Sequence, residues 1–351
     1  MKSVDQIVEG LRNGIRRGAY AADGLLPPQK AMAKAKGLSA RAVAAAYARL
    51  ADEGLVRNVP HKGAVIVGGA KTDWRGRVLF ITISGAEMFF ENVLALHVQQ
   101  ALESGGYRCD IVRIPPDFEN NPEDCPEVMR KLREPCNLAL VMVDQLSVGR
   151  LLHRLSLPFV ELAYARKRSP GSLAFFPLFD FSVAMEELLE VCAMAGVCEV
   201  LEVGHGGDLG DCLISAFAKR GIRFQRKFWD CRRRRINAFL ERFYAYGYEQ
   251  ISSFLRSGRK LPDVFLFQND HVARGAFLAF AEHGLWAPRD FRMVVCTNHG
   301  DRPLYPVDLS CLEVNPVQIG RAVGEWTLKY LADGLLRPLS VPAVFCRGKT
   351  L

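Results

Sequence analysis

The sequence feature that most constrains the fold is an alternation of short apolar runs with longer amphipathic segments after residue 77. The runs hold four to six residues rich in Val, Ile, Leu and Phe, as buried parallel strands do. This alternation predicts an α/β fold with parallel sheets flanked by helices. The predicted strands are residues 78–83, 109–114, 138–143, 158–162, 199–203, 264–267 and 293–296, and the predicted helices are residues 90–104, 180–195, 209–220, 238–255, 272–283 and 316–332.

Most of the net charge of the chain lies at its start. Up to Val67, eleven Lys and Arg stand against five Asp and Glu, whereas the rest of the chain has 35 basic and 33 acidic residues. Because phosphate neutralisation supplies most of the sequence-independent affinity for nucleic acids, this distribution is typical of a DNA-binding module ahead of a nearly neutral domain. We therefore predict a DNA-binding domain over residues 1–68, a small polar linker over residues 69–76 and a second domain over residues 77–351.

Helix and turn signals within the first domain predict a winged helix-turn-helix. Gly37 ends the second of three helical segments, Ser39 occupies the N-cap position of the third, and Gly54 permits a left-handed exit from it. Two short strands follow, joined by a turn that contains Lys62 and Gly63. The predicted helices are residues 4–17, 26–36 and 40–53, and the predicted strands are residues 55–59 and 64–67.

The third helix of such a domain enters the major groove with its N-terminal residues nearest the bases, while the wing follows the DNA backbone. Ser39 and Arg41 at the start of the helix and Lys62 on the wing are therefore candidate DNA contacts. For the lysines of the second helix two interpretations stay open, phosphate contact or a solvated helix face. These lysines are Lys30, Lys34 and Lys36.

This stretch resembles the GntR family of bacterial transcription regulators, whose domain contains L-P-S-E-R-x-L-A, G-V-S-R-x-T-V-x-x-A-x-x-x-L, E-G-L-V and a G-x-G wing. The resemblance implies further DNA contacts at Lys30, Ala40 and Gly63. The corresponding residues here are Leu26-Pro27-Pro28-Gln29-Lys30-Ala31-Met32-Ala33, Gly37-Leu38-Ser39-Ala40-Arg41-Ala42-Val43 with Leu50, Glu53-Gly54-Leu55-Val56, and His61-Lys62-Gly63.

The exposed face of the third helix departs from that pattern. Ala40 stands where the family has Arg, and Ala44, Ala45 and Ala48 follow it. Alanine cannot hydrogen-bond a base edge, which leaves Arg41 for major-groove readout. Two interpretations stay open. Either the operator is read through Arg41, thymine methyl groups, the wing and DNA shape, or the domain has reduced specificity.

Residues 77–351 resemble the periplasmic-binding-protein-like effector domain of the LacI family of repressors, with its ordered motifs P-D-A-x-x-x-x-N-D, A-x-G, G-x-x-x-P-x-D and V-V-G-F-D-N. Joined to a GntR-type domain, this is the architecture of the arabinose repressor group. The resemblance implies two lobes and a homodimeric, ligand-responsive repressor. The matching residues are Pro262-Asp263, Asn269-Asp270, Ala273, Gly275, Gly284, Pro288, Asp290 and Val294-Val295, followed by Pro316, Gly320 and Ala322.

Domains with two lobes bind small molecules in the cleft between them, at the carboxyl ends of the strands. A sugar needs carboxylate and amide partners for its hydroxyls and an aromatic face for its apolar side. A loop-capping role is the alternative for Asp270, and core packing is the alternative for Phe89 or Phe90. The predicted effector-binding residues are Phe89, Phe90, Asp144, Asn269, Asp270 and Asn298.

Two positions of the cleft depart from the family. Leu213 stands where the family often has Arg, and Asn298 replaces the Asp of F-D-N. The effector is therefore a sugar or sugar derivative, a different small molecule, or absent. In the last case the protein binds DNA constitutively or acts through a partner.

Enzyme, metal and membrane functions find no support in the sequence. The ten cysteines form no C-x-x-C pair and have no His at ligand spacing, so we predict reduced thiols and neither metal nor cofactor. No lysine lies in a context resembling a Schiff-base site, and no hydrolase or phosphate-binding motif occurs, so an enzyme fused to a winged helix is the weaker alternative. Without a long apolar run or signal-peptide pattern, we predict a cytoplasmic protein whose partners are double-stranded operator DNA, a small-molecule effector and a second copy of the chain, not a membrane.

Overall fold

The computed structural model describes residues 4–16, 20, 24–53, 55–59, 63–66, 74–83, 89–142, 146–163, 168–204, 209–228 and 239–351. The chain divides into two compact units, Met1–Arg75 and Gly76–Leu351. The predicted exit at Gly54, the wing residue Lys62 and the cleft residue Asp144 lie outside the described residues.

The smaller unit has three helices followed by a two-stranded antiparallel hairpin, as the winged-helix pattern predicts. Its core is a single apolar cluster that takes residues from all three helices and both strands, including the fully buried Val43 and Leu50. Gly37 ends the second helix with a left-handed φ of 62°. The elements are α1 (Val4–Arg16), α2 (Gln29–Lys36), α3 (Ala40–Asp52), β1 (Val56–Val59) and β2 (Gly63–Ile66).

The prediction that Leu26 begins the second helix is wrong. The Leu26 N–H donates to the carbonyl oxygen of Ala64 at 2.9 Å, and Leu25 forms an antiparallel bridge with Val65, so this segment runs beside β2. The two prolines that follow explain the difference, because a proline disfavours helical backbone in the residue before it. Helix α2 therefore begins at Gln29, with Pro28 as its N-cap.

The larger unit begins with a five-stranded, entirely parallel sheet, which we call the first lobe together with the helices that pack on it. Its first strand starts at Gly76, the last residue of the predicted linker. The elements are β3 (Gly76–Ile83), α4 (Phe89–Ser104), β4 (Tyr107–Ile114), α5 (Pro126–Leu132), β5 (Leu138–Met142), α6 (Leu146–Arg154), β6 (Phe159–Ala163) and β7 (Phe175–Pro177), with the strands in the order β4-β3-β5-β6-β7.

A six-stranded sheet forms the second lobe. Its strand pairs are parallel except for the pair formed by the two strands nearest the C-terminus, which is antiparallel. The elements are α7 (Ser182–Met194), β8 (Glu199–Gly204), α8 (Leu209–Lys219), β9 (Arg223–Phe228), α9 (Phe239–Arg256), β10 (Val264–Phe267), α10 (Asp270–Glu282), β11 (Arg292–Asn298), β12 (Ser310–Val314) and β13 (Val344–Cys346), with the strands in the order β13-β12-β11-β10-β8-β9. Helix α11 (Pro316–Asp333) lies between β12 and β13 in the sequence and belongs to the first lobe.

The chain passes between the two lobes at three places. It leaves the first lobe after β7, returns after β12 to pack α11 against α4, and crosses again to add β13 beside β12. Two of these crossings touch, since the N–H of Asp180 donates to the carbonyl of Val341 and the N–H of Ala343 donates to that of Asp180. The α11 packing needs Gly320, where a Cβ would lie 2.6 Å from the carbonyl oxygen of Leu94.

Candidate DNA-binding surface and interlobe cleft

Helix α3 buries one face and exposes the other. Val43, Ala46, Tyr47 and Leu50 are at most 2 % exposed, and the Tyr47 hydroxyl donates to the carbonyl of Pro27 at 2.6 Å. At the N-terminus the Ser39 hydroxyl oxygen accepts the N–H of Ala42 at 3.1 Å, as an N-cap does. The predicted contacts Ser39, Ala40 and Arg41 therefore lie together on the exposed start of the helix.

Basic side chains of this unit divide into paired and unpaired groups. Arg12 pairs with Glu53 at 2.7 Å and Arg49 pairs with Asp5 at 2.5 Å. Arg41 and the predicted contact Lys30 are exposed and make no hydrogen bond or ion pair with any described residue. Because these two side chains are not neutralised within the described chain, their charge is available to a phosphate or a base edge.

The two strands of the wing are described, whereas residues 60–62 between them lie outside the described residues. Gly63 is exposed, begins β2 and has a φ of 100°, a conformation that side-chain-bearing residues rarely adopt. The backbone at this position therefore favours glycine.

Among the described residues, the start of α4 in the first lobe meets the loop after β11 in the second. Phe89 begins α4 in the first lobe, and a Cβ built on Gly300 in the second lobe would lie 3.5 Å from its Cζ atom. Phe90 instead packs in the core, edge-on to Phe179 with ring centroids 5.5 Å apart. Phe89 is thus the predicted aromatic residue that lies at the cleft, beside the loop that follows Asn298.

The predicted amide and carboxylate have different surroundings at the start of α10. The Asn269 side-chain oxygen accepts the N–H groups of His271 and Val272 at 2.8 and 3.3 Å, so it caps the helix. Asp270 is 3 % exposed, and its nearest cationic partner is Arg274 at 3.5 Å, which makes a shorter 3.0 Å bond to Asp301. The Asp270 carboxylate is therefore buried with only weak compensation.

A carboxyl group of the first lobe interacts electrostatically with Asp270 of the second. Burial first and the charge of Asp270 last raise the pKa of Glu91, in the first turn of α4, to about 7, against the lowering effect of a backbone hydrogen bond. Burial likewise raises the pKa of Asp270, against the lowering effect of His271 and Arg274. The sequence analysis did not identify Glu91, although its place just after a strand-end loop and the aromatic pair was a usable signal.

A buried ion pair lies at the carboxyl end of β8. Glu202 is fully buried and accepts a hydrogen bond from Arg226 Nε at 2.8 Å, and the side-chain amide of Gln268 also donates to it. Burial and then the charge of Glu202 raise the pKa of the Cys296 thiol on β11, and Asp270 adds to this effect. The interior of the second lobe near Cys296 therefore contains two buried carboxyl groups, those of Glu202 and Asp270.

The described part of the chain has neither a metal-binding cluster nor a membrane-spanning helix. Its His, Cys, Asp and Glu residues form no group of three or more that could hold a metal ion. Its helices include none long and apolar enough to cross a membrane.

Sequence comparison identifies two domains. Residues 3–66 match the profile described as bacterial regulatory proteins of the gntR family, and residues 201–344 match that of the periplasmic-binding-protein-like domain. An uncharacterised HTH-type transcriptional regulator of Rhizobium meliloti is 43 % identical over 61 residues, 17 % of this chain and 25 % of that protein. The HTH-type transcriptional regulator GalR of Streptococcus thermophilus is 30 % identical over 106 residues, 30 % of each chain. The matches thus span about a quarter to a third of these relatives.

Solved structures share the fold of the larger unit. A LacI family transcriptional regulator of Arthrobacter sp. FB24, in complex with lactose, superposes with a TM-score of 0.59 at 14 % identity, over 79 % of this chain and 99 % of that one. A LacI family regulator of Enterococcus faecalis V583 with bound ribose gives 0.60 at 13 % identity, over 78 % and 98 %. The chain thus joins a gntR-family DNA-binding domain to a periplasmic-binding-protein-like domain with the fold of LacI family regulators.

Proposed function

We propose that this protein is a transcriptional repressor whose affinity for operator DNA is controlled by a small molecule bound in the interlobe cleft. The observation that carries the proposal is the presence, on one chain, of a winged helix whose Arg41, at the start of α3, is neutralised by no described residue and a two-lobed domain with a polar cleft. The matched relatives are transcriptional regulators.

Two chains associate through their larger units and place two α3 helices about one DNA turn apart on a palindromic site. A ligand that closes the cleft rotates one lobe against the other and changes the spacing of these helices. Operator affinity then falls by the difference in ligand binding between the two states.

The cleft favours a neutral or cationic ligand that is rich in hydrogen-bond donors. Asp270 and Glu91 supply acceptor oxygens from opposite lobes, and Phe89 supplies an aromatic face. A sugar satisfies both requirements, and two structural neighbours hold lactose and ribose. An anionic ligand such as a sugar phosphate would meet repulsion from each carboxyl group that is ionised, which for Glu91 means above about pH 7.

The DNA half of the proposal is tested by selecting sequences from a random duplex pool with the full-length protein. Binding of the enriched duplex and of a shuffled duplex is then compared by fluorescence anisotropy at several salt concentrations. We expect the enriched duplex to bind at least about a thousandfold more tightly, as specific regulators do. Equal binding of both duplexes would reject a sequence-specific regulator.

The ligand half is tested by thermal shift against neutral sugars, amino sugars and sugar phosphates, because a cleft ligand stabilises the folded state by mass action. A stabilising compound should also release the enriched duplex. Specific DNA binding with no stabilising compound and no release would instead support constitutive DNA binding, which the replacements at Leu213 and Asn298 favour.

A further inference from the structure

Two cysteines face each other on the last two strands of the second lobe. Cys311 on β12 and Cys346 on β13 are direct partners in the antiparallel register. Direct partners project their side chains to the same face, and their Cα atoms lie about 4.5 to 5.5 Å apart. A disulfide needs a Cα separation of about 4.4 to 6.8 Å, so the register already satisfies this requirement. Among the cysteines in the described part of the chain, no other two are cross-strand partners.

The surroundings of the pair give its two thiols different roles. Cys311 is fully buried, whereas Cys346 is half-buried and its Sγ atom accepts a hydrogen bond from Arg302 at 3.1 Å. Burial and the charge of Glu313 raise the pKa of the Cys346 thiol, and the Arg302 guanidinium opposes this effect. Cys346 is therefore the thiol that an oxidant reaches first, and Cys311 is placed to resolve the oxidised product.

We propose that Cys311 and Cys346 form a reversible disulfide, a redox modification site in the second lobe, with hydrogen peroxide as the oxidant. The Cys346 thiolate attacks one peroxide oxygen, the O–O bond breaks, and a sulfenic acid and hydroxide form. The Cys311 sulfur then attacks the sulfenic sulfur, the S–S bond forms, and hydroxide leaves. The thiol protons convert both hydroxides to water. Two thiols lose two electrons and one peroxide becomes two waters.

The site lies close to the cleft loop that follows β11. Arg302 donates to Glu313 at 2.6 Å as well as to Cys346, and Glu313 also contacts His299 at 2.9 Å. His299 follows Asn298 directly, and Asp301 in the same loop pairs with Arg274. The disulfide forms next to side chains that hold this loop, and it does not depend on the identity of any effector.

The test treats the full-length reduced protein with hydrogen peroxide, blocks remaining thiols with N-ethylmaleimide and maps unreduced peptides by mass spectrometry. We expect a linked peptide containing Cys311 and Cys346 that disappears after dithiothreitol and forms faster at mildly alkaline than at neutral pH, since the thiolate attacks. The matched control Cys198→Ser, which removes an exposed thiol, should leave the linked peptide unchanged.

The wild-type peptide map decides the proposal even if Cys346→Ser fails to fold. The proposal would be overturned if Cys311 and Cys346 both carried N-ethylmaleimide in a sample whose exposed Cys198 was oxidised. A disulfide between Cys346 and a different cysteine would also overturn it. As a second measurement, the midpoint of thermal unfolding should rise on oxidation and return with dithiothreitol. A folded Cys346→Ser protein should show neither change.

Discussion

At the start of α3, Arg41 differs from Arg12 and Arg49 in having no described carboxylate to neutralise it. A guanidinium in this position can donate two parallel hydrogen bonds to a guanine edge. Its neighbours Ala40, Ala44, Ala45 and Ala48 cannot do so, and under the proposed function we therefore expect Arg41 to supply the hydrogen-bonded base contact of this helix.

Arg41→Ala should weaken binding to the selected duplex by about 1 to 3 kcal/mol, or roughly 5- to 150-fold in Kd, with a smaller loss on shuffled DNA. Fluorescence anisotropy of both duplexes measures the two losses. Arg49→Ala is the matched control, because Arg49 pairs with Asp5, and its effect should be slight. Equal losses on the two duplexes would identify Arg41 as a phosphate contact.

Glu91 gives the fold a stability that depends on pH. The folded pKa of about 7 exceeds the ordinary value of 4.5, so the folded state holds its proton more tightly than the unfolded state. This contribution is present below about pH 4.5 and is lost as the pH rises through about 7, on the order of 3 kcal/mol in total.

Glu91→Gln should remove the loss of stability that the ionisation of Glu91 causes at high pH. The variant is expected to be more stable than the wild type at about pH 8 and similar to it at about pH 4, as measured by urea unfolding at each pH. Equal stability of the two proteins at the higher pH would show that the Glu91 carboxylate is compensated when it is ionised.

Among the elements, the end of α2 and the start of α3 were predictable, because Gly37 and Ser39 act locally on the backbone. The predicted strands include ones buried along their length, such as β5 and β10, and partly exposed ones such as β4. Strand β9, Arg-Phe-Gln-Arg-Lys-Phe, was missed because it is a charged edge strand, and β7 and β13 have only three residues each. The sequence analysis also missed α5 and α6, which are short, and β12, a buried strand of five residues.

The cleft was predictable only in part. The order of strands places Asn269, Asp270 and Asn298 at carboxyl ends of one sheet, which the motifs indicated. The approach of Glu91 to Asp270 depends on how the two lobes meet, and no local pattern carries that information. The capping role of Asn269 likewise follows from side-chain geometry that a motif does not contain.

The contact between α11 and α4 should be sensitive to a single methyl group. Gly320→Ala would place a Cβ 2.6 Å from the Leu94 carbonyl oxygen and 2.8 Å from the Cβ of His97. We expect a loss of about 1 to 3 kcal/mol of unfolding free energy, as overpacking usually causes. Urea unfolding measures it.

Gly10→Ala is the control for that substitution, since α1 leaves open space around Gly10. This variant should be neutral or stabilise the protein by up to about 1 kcal/mol, because alanine favours a helix interior. A Gly320→Ala protein as stable as the wild type would mean that the two helices can separate without cost.

For the whole molecule, coupling between cleft and DNA should depend on Asp270. Asp270→Asn keeps the shape of the side chain and removes its charge, so operator binding should persist while the thermal shift and the DNA release caused by a stabilising compound are lost. Asp308→Asn, at an exposed position of the second lobe, should retain both responses. If Asp270→Asn retained the thermal shift and the DNA release, Asp270 would have a structural role at the start of α10 and no role in the response to the ligand.

The three crossings between the lobes have a consequence for how such a gene can change. The first lobe is assembled from separated stretches of sequence, so a genetic exchange that cuts between β7 and α7 would place the α4 of one parent against the α11 of another. The smaller unit is one continuous stretch of the chain. Recombination can therefore replace the smaller unit as a piece, whereas an exchange within the larger unit must restore the packing between α4 and α11.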